Sequence, residues 1–308
     1  MPRSIPDVRG PLVECIPNVS EGRDRALIDR MAAAVSAASG VTLINVHADP
    51  DHHRSVFSFL GAPAAVEAAA LALAETALVA VDLRRHRGTH PRVGALDVVP
   101  FVPLAAVAMS DVVALARRVG RGIADRHGVP VYYYGEAATR ATRRRLPDVR
   151  GRGYDALAER LAAGDAPDDG PARFDARAGA TLVGARQILV AFNVWLESDD
   201  LGAAQAIART VRESAGGLPG VQALGMRLAS RGVTQVSMNL LDCRRTPIPA
   251  AFDRVREEAA RRRIRVQRGE LVGVAPRAAF AGRAPTSVGL SDFTPDLLLD
   301  THLEAATA

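Results

Sequence analysis

The sequence predicts an α/β protein of the α+β type, in which mixed β-sheets are layered with helices, and three observations carry this. Short β-branched and aromatic runs alternate with amphipathic stretches in the order βαββαβαβ between Leu12 and Ala137. A smaller βαβαβ series runs from Gln187 to Val274. Of the 308 residues 48% are hydrophobic and 24% charged, enough for one large or two medium cores. Hairpins within the first series argue for a mixed sheet over a strictly parallel, doubly wound one.

The first strand is Leu12 to Pro17, stopped by Asn18-Val19-Ser20-Glu21-Gly22. Arg23 to Ser39 follows as a helix, with Leu27, Ile28, Met31, Ala34 and Val35 on one stripe and Gly40 as its stop. Val41 to Val46 is a strand that ends in the polar cluster His47 to Arg54, and Ser55 to Leu60 alternates as a half-buried strand does. Gly61-Ala62-Pro63 turns the chain into a helix from Ala64 to Leu83. Beyond a histidine-rich loop, Ala95 to Val102 is a strand, Ser110 to His127 a helix opened by a Ser110-Asp111 cap, and Val131 to Tyr134 a strand. Leu146 to Gly179, rich in Pro, Gly, Asp and Arg, reads as a linker or binding loop. In the second series Gln187 to Val194, Val233 to Asp242 and Ile264 to Val274 are strands, Leu201 to Glu213 and Ile248 to Arg263 helices, and a last helix covers Pro295 to Ala305. The subdomain boundary falls at Arg186, giving residues 1–186 and 187–308.

Composition narrows the function classes. Ala62 to Leu83 is interrupted by Glu67, Glu75 and Asp82, which argues against a membrane span, and Met1 to Gly10 has no apolar signal core, so a cytoplasmic protein is expected. Cys15 and Cys243 are far apart and form no CxxC pair. The net charge of +5 raises nucleic acid as a partner, but all 39 positive charges are arginine, aromatic content is 4%, and no recognition motif is present. A basic interaction module would rest on Arg143-Arg144-Arg145 and Arg261-Arg262-Arg263, which lie at helix ends where arginines commonly face solvent. No nucleotide-phosphate loop occurs.

The chemistry is concentrated in His86-Arg87-Gly88-Thr89-His90-Pro91-Arg92-Val93-Gly94-Ala95-Leu96-Asp97. Pro91 biases His90 toward extended backbone, and the glycines let main chain approach a ligand. Imidazole exchanges a proton near neutral pH and arginine holds carboxylates, so this loop combines proton transfer with anion binding. Asn18 to Gly22, His47 to Arg54 and Tyr134-Gly135-Glu136 also fall at strand ends, where ligands bind in such sheets. A metal hydrolase is the rival reading, with His47, His52, His53, His86 and His90 and Asp49, Asp51 and Asp97 as donors. Their spacing fits no helical metal motif.

Val13-Glu14-Cys15-Ile16-Pro17-Asn18-Val19-Ser20-Glu21-Gly22, His90 through Phe101, Tyr134-Gly135-Glu136-Ala137-Ala138, Gly184-Ala185-Arg186, Gln235 through Leu240 and Glu270 through Gly273 together resemble the glutamate formimidoyltransferase family. The resemblance spans nearly the whole chain. It implies transfer of a formimino group from N-formimino-L-glutamate to N5 of tetrahydrofolate, the co-substrate, with no metal. It further implies two subdomains, each a sheet with helices on one face, and a homodimer. His90 is the implied catalytic histidine, and Gly170, Pro171, Ala172, Arg173, Phe174, Asp175, Ala176, Arg177, Ala178 and Gly179 the implied folate segment. The chain ends at Ala308, so a stand-alone form without a cyclodeaminase domain is expected, its product passing to a separate enzyme.

The reaction itself asks for these residue types. A nucleophilic amine attacks an amidine carbon, and one histidine can take the proton from the attacking nitrogen and return it to the leaving one. Both substrates carry glutamate carboxylates, which makes Arg54, Arg92 and Arg186 candidate partners. Asn18 belongs to the same expected substrate site. Asp97 or Glu136 can orient the imidazole or hold the amidinium charge. Two departures from the family pattern stand out: His53 precedes Arg54 where an Asn is expected, and Arg173, Asp175 and Arg177 make the folate segment unusually charged. Formiminoglycine is the alternative donor.

Overall fold

The computed structural model describes residues 10–307, which form two compact units, one running to Gln187 and the other starting at Ile188. In the first unit the chain opens with β1 (Leu12–Cys15) and β2 (Asn18–Val19), two halves of a strand broken at Ile16-Pro17, where proline has no N–H for the ladder. Then come α1 (Arg25–Ser36), β3 (Val41–Asp49), β4 (Arg54–Gly61), α2 (Pro63–Ala80), β5 (Leu96–Ala105), α3 (Met109–His127) and β6 (Val131–Gly135). Two short helices, α4 (Leu146–Arg150) and α5 (Leu157–Ala162), precede β7 (Thr181–Ala185). The broken strand pairs antiparallel with both β4 and β5, β3 borders β4, and β7 lies parallel between β5 and β6.

Alternation along these strands sends Val13, Cys15, Phe57, Phe59, Val99, Phe101, Tyr133 and Val183 to one face, where they pack with α1, α2 and α3. By length and composition α2 is apolar enough to cross a membrane, despite the acidic residues noted in its sequence. Its Val66, Ala69, Ala70, Leu73, Ala74, Ala77 and Leu78 are core residues instead. Helix α1 is capped by Asp24, whose carboxylate accepts from the Leu27 N–H at 2.9 Å. The expected Ser110-Asp111 cap is displaced: α3 begins at Met109 after Ala108, and Asp111 sits in the first turn, where its charge favours the helix dipole. The stretch from Leu146 to Gly179 is not a free linker. Val149, Leu157 and Leu161 from α4 and α5 pack on Val98, Tyr132, Tyr134 and Leu182, covering part of the sheet's second face.

The second unit is β8 (Val190–Leu196), α6 (Leu201–Val211), β9 (Val221–Leu228), β10 (Val233–Leu240), α7 (Ile248–Ala260), β11 (Val266–Val272) and α8 (Leu299–Thr307). Its sheet order is β11-β8-β10-β9 with every pair antiparallel, so parallel and antiparallel pairs are mixed only in the first sheet. Strand β9 is absent from the expected series, because Gly225 interrupts its apolar pattern. That glycine is where α6 crosses the strand: an added Cβ would lie 2.3 Å from the Gln205 nitrogen. Val190, Phe192, Val194, Val236 and Met238 pack with Ile207, Val211, Phe252 and Val255 into this unit's core.

Candidate functional site

Three polar segments of the first unit meet at one end of its sheet. Ser20 donates from its N–H to the Ala95 carbonyl and from its hydroxyl to the Gly94 carbonyl, tying the β2 turn to the histidine loop. Thr89 N–H reaches Asp51 O at 3.0 Å, tying that loop to the β3–β4 hairpin tip. The Arg23 guanidinium joins all three, donating to Pro50 O at 2.9 Å and Arg87 O at 2.6 Å. The cluster read as His47 to Arg54 is therefore mostly hairpin: His47–Asp49 and Arg54 are strand, leaving residues 50–53 as the turn.

Asp97 anchors the junction. It is fully buried, and its Oδ2 accepts from Arg54 Nη1 at 2.7 Å and Arg150 Nη2 at 2.8 Å, while Oδ1 accepts from Val93 N–H at 2.7 Å. Burial opposes its charge, but the two guanidiniums and their hydrogen bonds outweigh that and hold the carboxyl below its usual range. Arg54 also donates through Nε to Asn18 Oδ1 at 2.9 Å, which orients the Asn18 amide. Two guanidiniums against one carboxylate leave a net positive charge in a desolvated place, which suits an anionic ligand.

His90 is half-buried beside this group. Its Nδ1 lies 2.8 Å from Pro91 O, and because a carbonyl only accepts, Nδ1 carries the proton and Nε2 the lone pair. Nε2 makes no hydrogen bond among the described residues. Desolvation, then the positive charges of Arg54 and Arg150 and the neighbouring His52, hold its pKa well below the ordinary histidine value, so the ring is neutral at physiological pH. The His52 ring is 5.5 Å away, tilted 39°. Neither Asp97 nor Glu136 orients the imidazole; Pro91 does.

The other histidines of the loop system are tied down. His86 is buried, its Nε2 donating to His53 O at 2.8 Å, and the two rings stack at 4.2 Å and 9°. Burial lowers the His86 pKa to about 4. His53 accepts at Nδ1 from Arg87 N–H at 3.3 Å and faces Glu21 through Nε2 at 3.2 Å. Its backbone φ is +52°, a conformation that Asn and His tolerate better than most side chains. Gly88 permits the packing, since a Cβ there would lie 2.2 Å from His52 O. Among the described residues no three His, Cys, Asp or Glu side chains converge as a metal would need.

The remaining candidates make contacts of their own. Arg92 lies over the Tyr154 ring at 5.5 Å, and Tyr154 packs on Phe174 of the 170–179 segment. That segment is folded by Asp175, whose carboxylate accepts from the Arg177 and Ala178 N–H groups, with the Arg177 guanidinium on Val79 O. Gly170 and Gly179 frame it at φ +83° and +68°, whereas Pro171, Ala172, Arg173 and Ala176 are partly or fully exposed. Glu136 is half-exposed and faces Arg144 at 3.4 Å. Arg186 stands at the end of β7 and donates to Gln187 O at 2.9 Å. Sequence reasoning missed Arg150, and named His52 only as a donor in the rival metal reading. Arg150 sits in the stretch read as linker, and only its i, i−4 relation to Leu146 in a short helix hinted at order.

Residues 12–186 match the formiminotransferase domain, N-terminal subdomain, and residues 191–285 match the formiminotransferase domain. Glutamate formimidoyltransferase of Streptococcus pyogenes serotype M1 is 37% identical over 95% of this chain and 98% of its own length. The glutamate formimidoyltransferase of Thermoplasma acidophilum is 39% identical, covering 96% of this chain and 98% of the relative. Formimidoyltransferase-cyclodeaminase of Rattus norvegicus is 41% identical over 89% of this chain, which spans 52% of that longer protein. With both subdomain models matched in order along one chain, this protein belongs to the formiminotransferase family.

Proposed function

We propose that this protein transfers the formimino group of N-formimino-L-glutamate to N5 of tetrahydrofolate, with His90 as general base and then general acid. The observation that carries the His90 assignment is its tautomer: Nδ1–H is committed to Pro91 O, and a neutral Nε2 is left open beside two arginines. In this reading the N5 lone pair attacks the formimino carbon, Nε2 takes the N5 proton, and the imidazolium returns it to the glutamate nitrogen as the old C–N bond breaks. The nearby arginines disfavour a standing imidazolium, which makes His90 a ready proton donor in the second step.

Arg54 and Arg150 are the proposed carboxylate partners, held at fixed spacing by Asp97, with Asn18 alongside. Arg92, Tyr154 and Phe174 connect the histidine loop to the 170–179 segment, supporting that segment as a folate contact. Arg186 and Glu136 are assigned to the same site from the family motif. The protein acts in the cytoplasm as a homodimer in this reading, which light scattering of the purified protein checks. The decisive experiment is a transfer assay with formiminoglutamate and tetrahydrofolate beside formiminoglycine, run on the unaltered protein and on His90→Ala. Transfer from formiminoglutamate that vanishes with His90 is the expected result; undiminished transfer by the variant would remove His90 from the chemistry.

A further inference from the structure

Glu14 is 5% exposed in the middle of β1, yet among the described residues its carboxyl has no hydrogen bond and no ion pair. A buried acid left without a partner is costly to a fold, and the mechanism above gives it no task. Its position is defined by register. Glu14 stands opposite Leu60 of β4 and Val102 of β5, so its side chain leaves the sheet on the face opposite α1, α2 and α3. Strand β5 pairs Pro100 with Gly184 and Phe101 with Ala185, and Gly184 pairs with Tyr134, which brings Arg186 and Tyr134 onto that same face. Asn18, opposite Val98 and Val56, lies on it too, four residues along from Glu14, and there bonds Arg54.

We infer that Glu14 belongs to the co-substrate site, its carboxylate accepting the paired N–H donors of the N3 and 2-amino edge of the tetrahydropterin ring. This rests on the transferase reading. A planar N–C–N unit with two N–H donors suits a carboxylate, and the reaction offers two of them, the pterin edge and the formimino group itself. Placement favours the pterin. The formimino carbon must be within reach of His90, whose ring is influenced by Arg54, Arg150 and His52, whereas the charged neighbour that Glu14 feels is Arg186. Four residues of strand separate Glu14 from Asn18, roughly 13 Å, so the acid reads a part of the co-substrate away from the reacting centre. Arg186 in turn supplies donors beside the acid for a carbonyl acceptor on the same ring.

Binding of 5-formyltetrahydrofolate, measured by calorimetry from pH 5.5 to 8.5, tests this. Burial, partly opposed by Arg186, raises the Glu14 pKa to about 7; Arg186, Tyr134 and Cys15 are the titratable groups around it. The unaltered protein is therefore expected to lose affinity as pH falls below 7, because the protonated acid has surrendered an acceptor. Glu14→Gln is expected to weaken binding by roughly ten- to a hundredfold at pH 8, to remove this pH dependence, and to leave the KM for formiminoglutamate unchanged. Binding by Glu14→Gln equal to that of the unaltered protein, or a rise in the formiminoglutamate KM instead, would overturn the inference alone. Failure of the unaltered, folded protein to bind the folate would overturn the transferase reading with it. If Glu14→Gln does not fold, Glu14→Asp keeps the charge and is expected to bind more weakly with the pH dependence retained; pH-independent binding by that variant would also overturn the inference.

Discussion

His52 and His53 are neighbours in sequence, yet each pairs with a different histidine of the next loop, and the two pairs have opposite characters. His53 and His86 stack face to face, His53 engaged at both ring nitrogens by Glu21 and the Arg87 N–H and His86 at Nε2 by the His53 carbonyl, while His86 Nδ1 is buried without a hydrogen-bond partner. His52 and His90 meet at a tilt, and His90 keeps Nε2 open beside Arg54 and Arg150. Histidine content is therefore a poor guide to chemistry. His86 and His90 each keep one ring nitrogen without a hydrogen bond, and they differ in access: that nitrogen is buried in His86, whereas the His90 ring is half-buried.

The largest expected effect tests that contrast directly. His90→Ala is expected to lower kcat by about 10²–10⁴, the contribution of a positioned acid and base, with the thermal midpoint unchanged. His86→Ala is expected to lower the midpoint while changing kcat far less; equal losses of kcat would erase the distinction between the pairs. Next comes Asp97→Ala, which leaves Arg54 and Arg150 facing each other without their carboxylate. Removing one partner from such a buried group costs about 3–5 kcal/mol of unfolding free energy, readable by urea titration. A loss of activity without a loss of stability would place Asp97 in contact with substrate instead. Arg150→Lys is expected to raise the formiminoglutamate KM, because an ammonium cannot hold Asp97 and a substrate carboxylate in one plane. An unchanged KM assigns Arg150 to Asp97 alone.

Stability against pH sharpens the comparison further. In the folded protein burial holds His86 at about 4, against 6.5 as its ordinary value, and His90 is depressed as well. Between those pH values the unfolded chain binds more protons than the folded one, so stability falls as pH drops from 6.5 toward 4. His86→Gln should flatten part of that slope and His90→Ala another part, as urea midpoints across the range would show. The smallest effect belongs to Glu136→Gln: an exposed pair with Arg144 contributes little, and stability should move by no more than about 1 kcal/mol.

Much of this was legible before any coordinates. The strands at Leu12, Val41, Ser55 and Val131 and the long helices announced themselves by period, because their buried faces admit only apolar residues. The meeting of three polar strand ends was equally readable. The 146–162 helices were hidden, since α4 and α5 are short and their apolar residues are diluted by Arg, Asp and Gly. Strand β9 was hidden by the glycine that lets α6 approach it. Arg150 was concealed for the same reason as α4, and no spacing rule connects it to an aspartate 53 positions earlier. The choice between His86 and His90 rested on family likeness; the structure adds that His86 is buried and His90 half-buried.

The order of strands also sets a timetable for synthesis. β1 is made first but lies between β4 and β5, and β7, which completes the parallel end of the sheet, is made last. A chain emerging amino end first must keep Leu12–Cys15 unpaired until residues 54–105 are available, and its sheet stays unfinished until Ala185 is out. Pairings so distant in sequence form slowly. During that interval the exposed edges of β5 and β6 are open to strands of other nascent chains, which makes this half of the protein the part most in need of protection while it is being made.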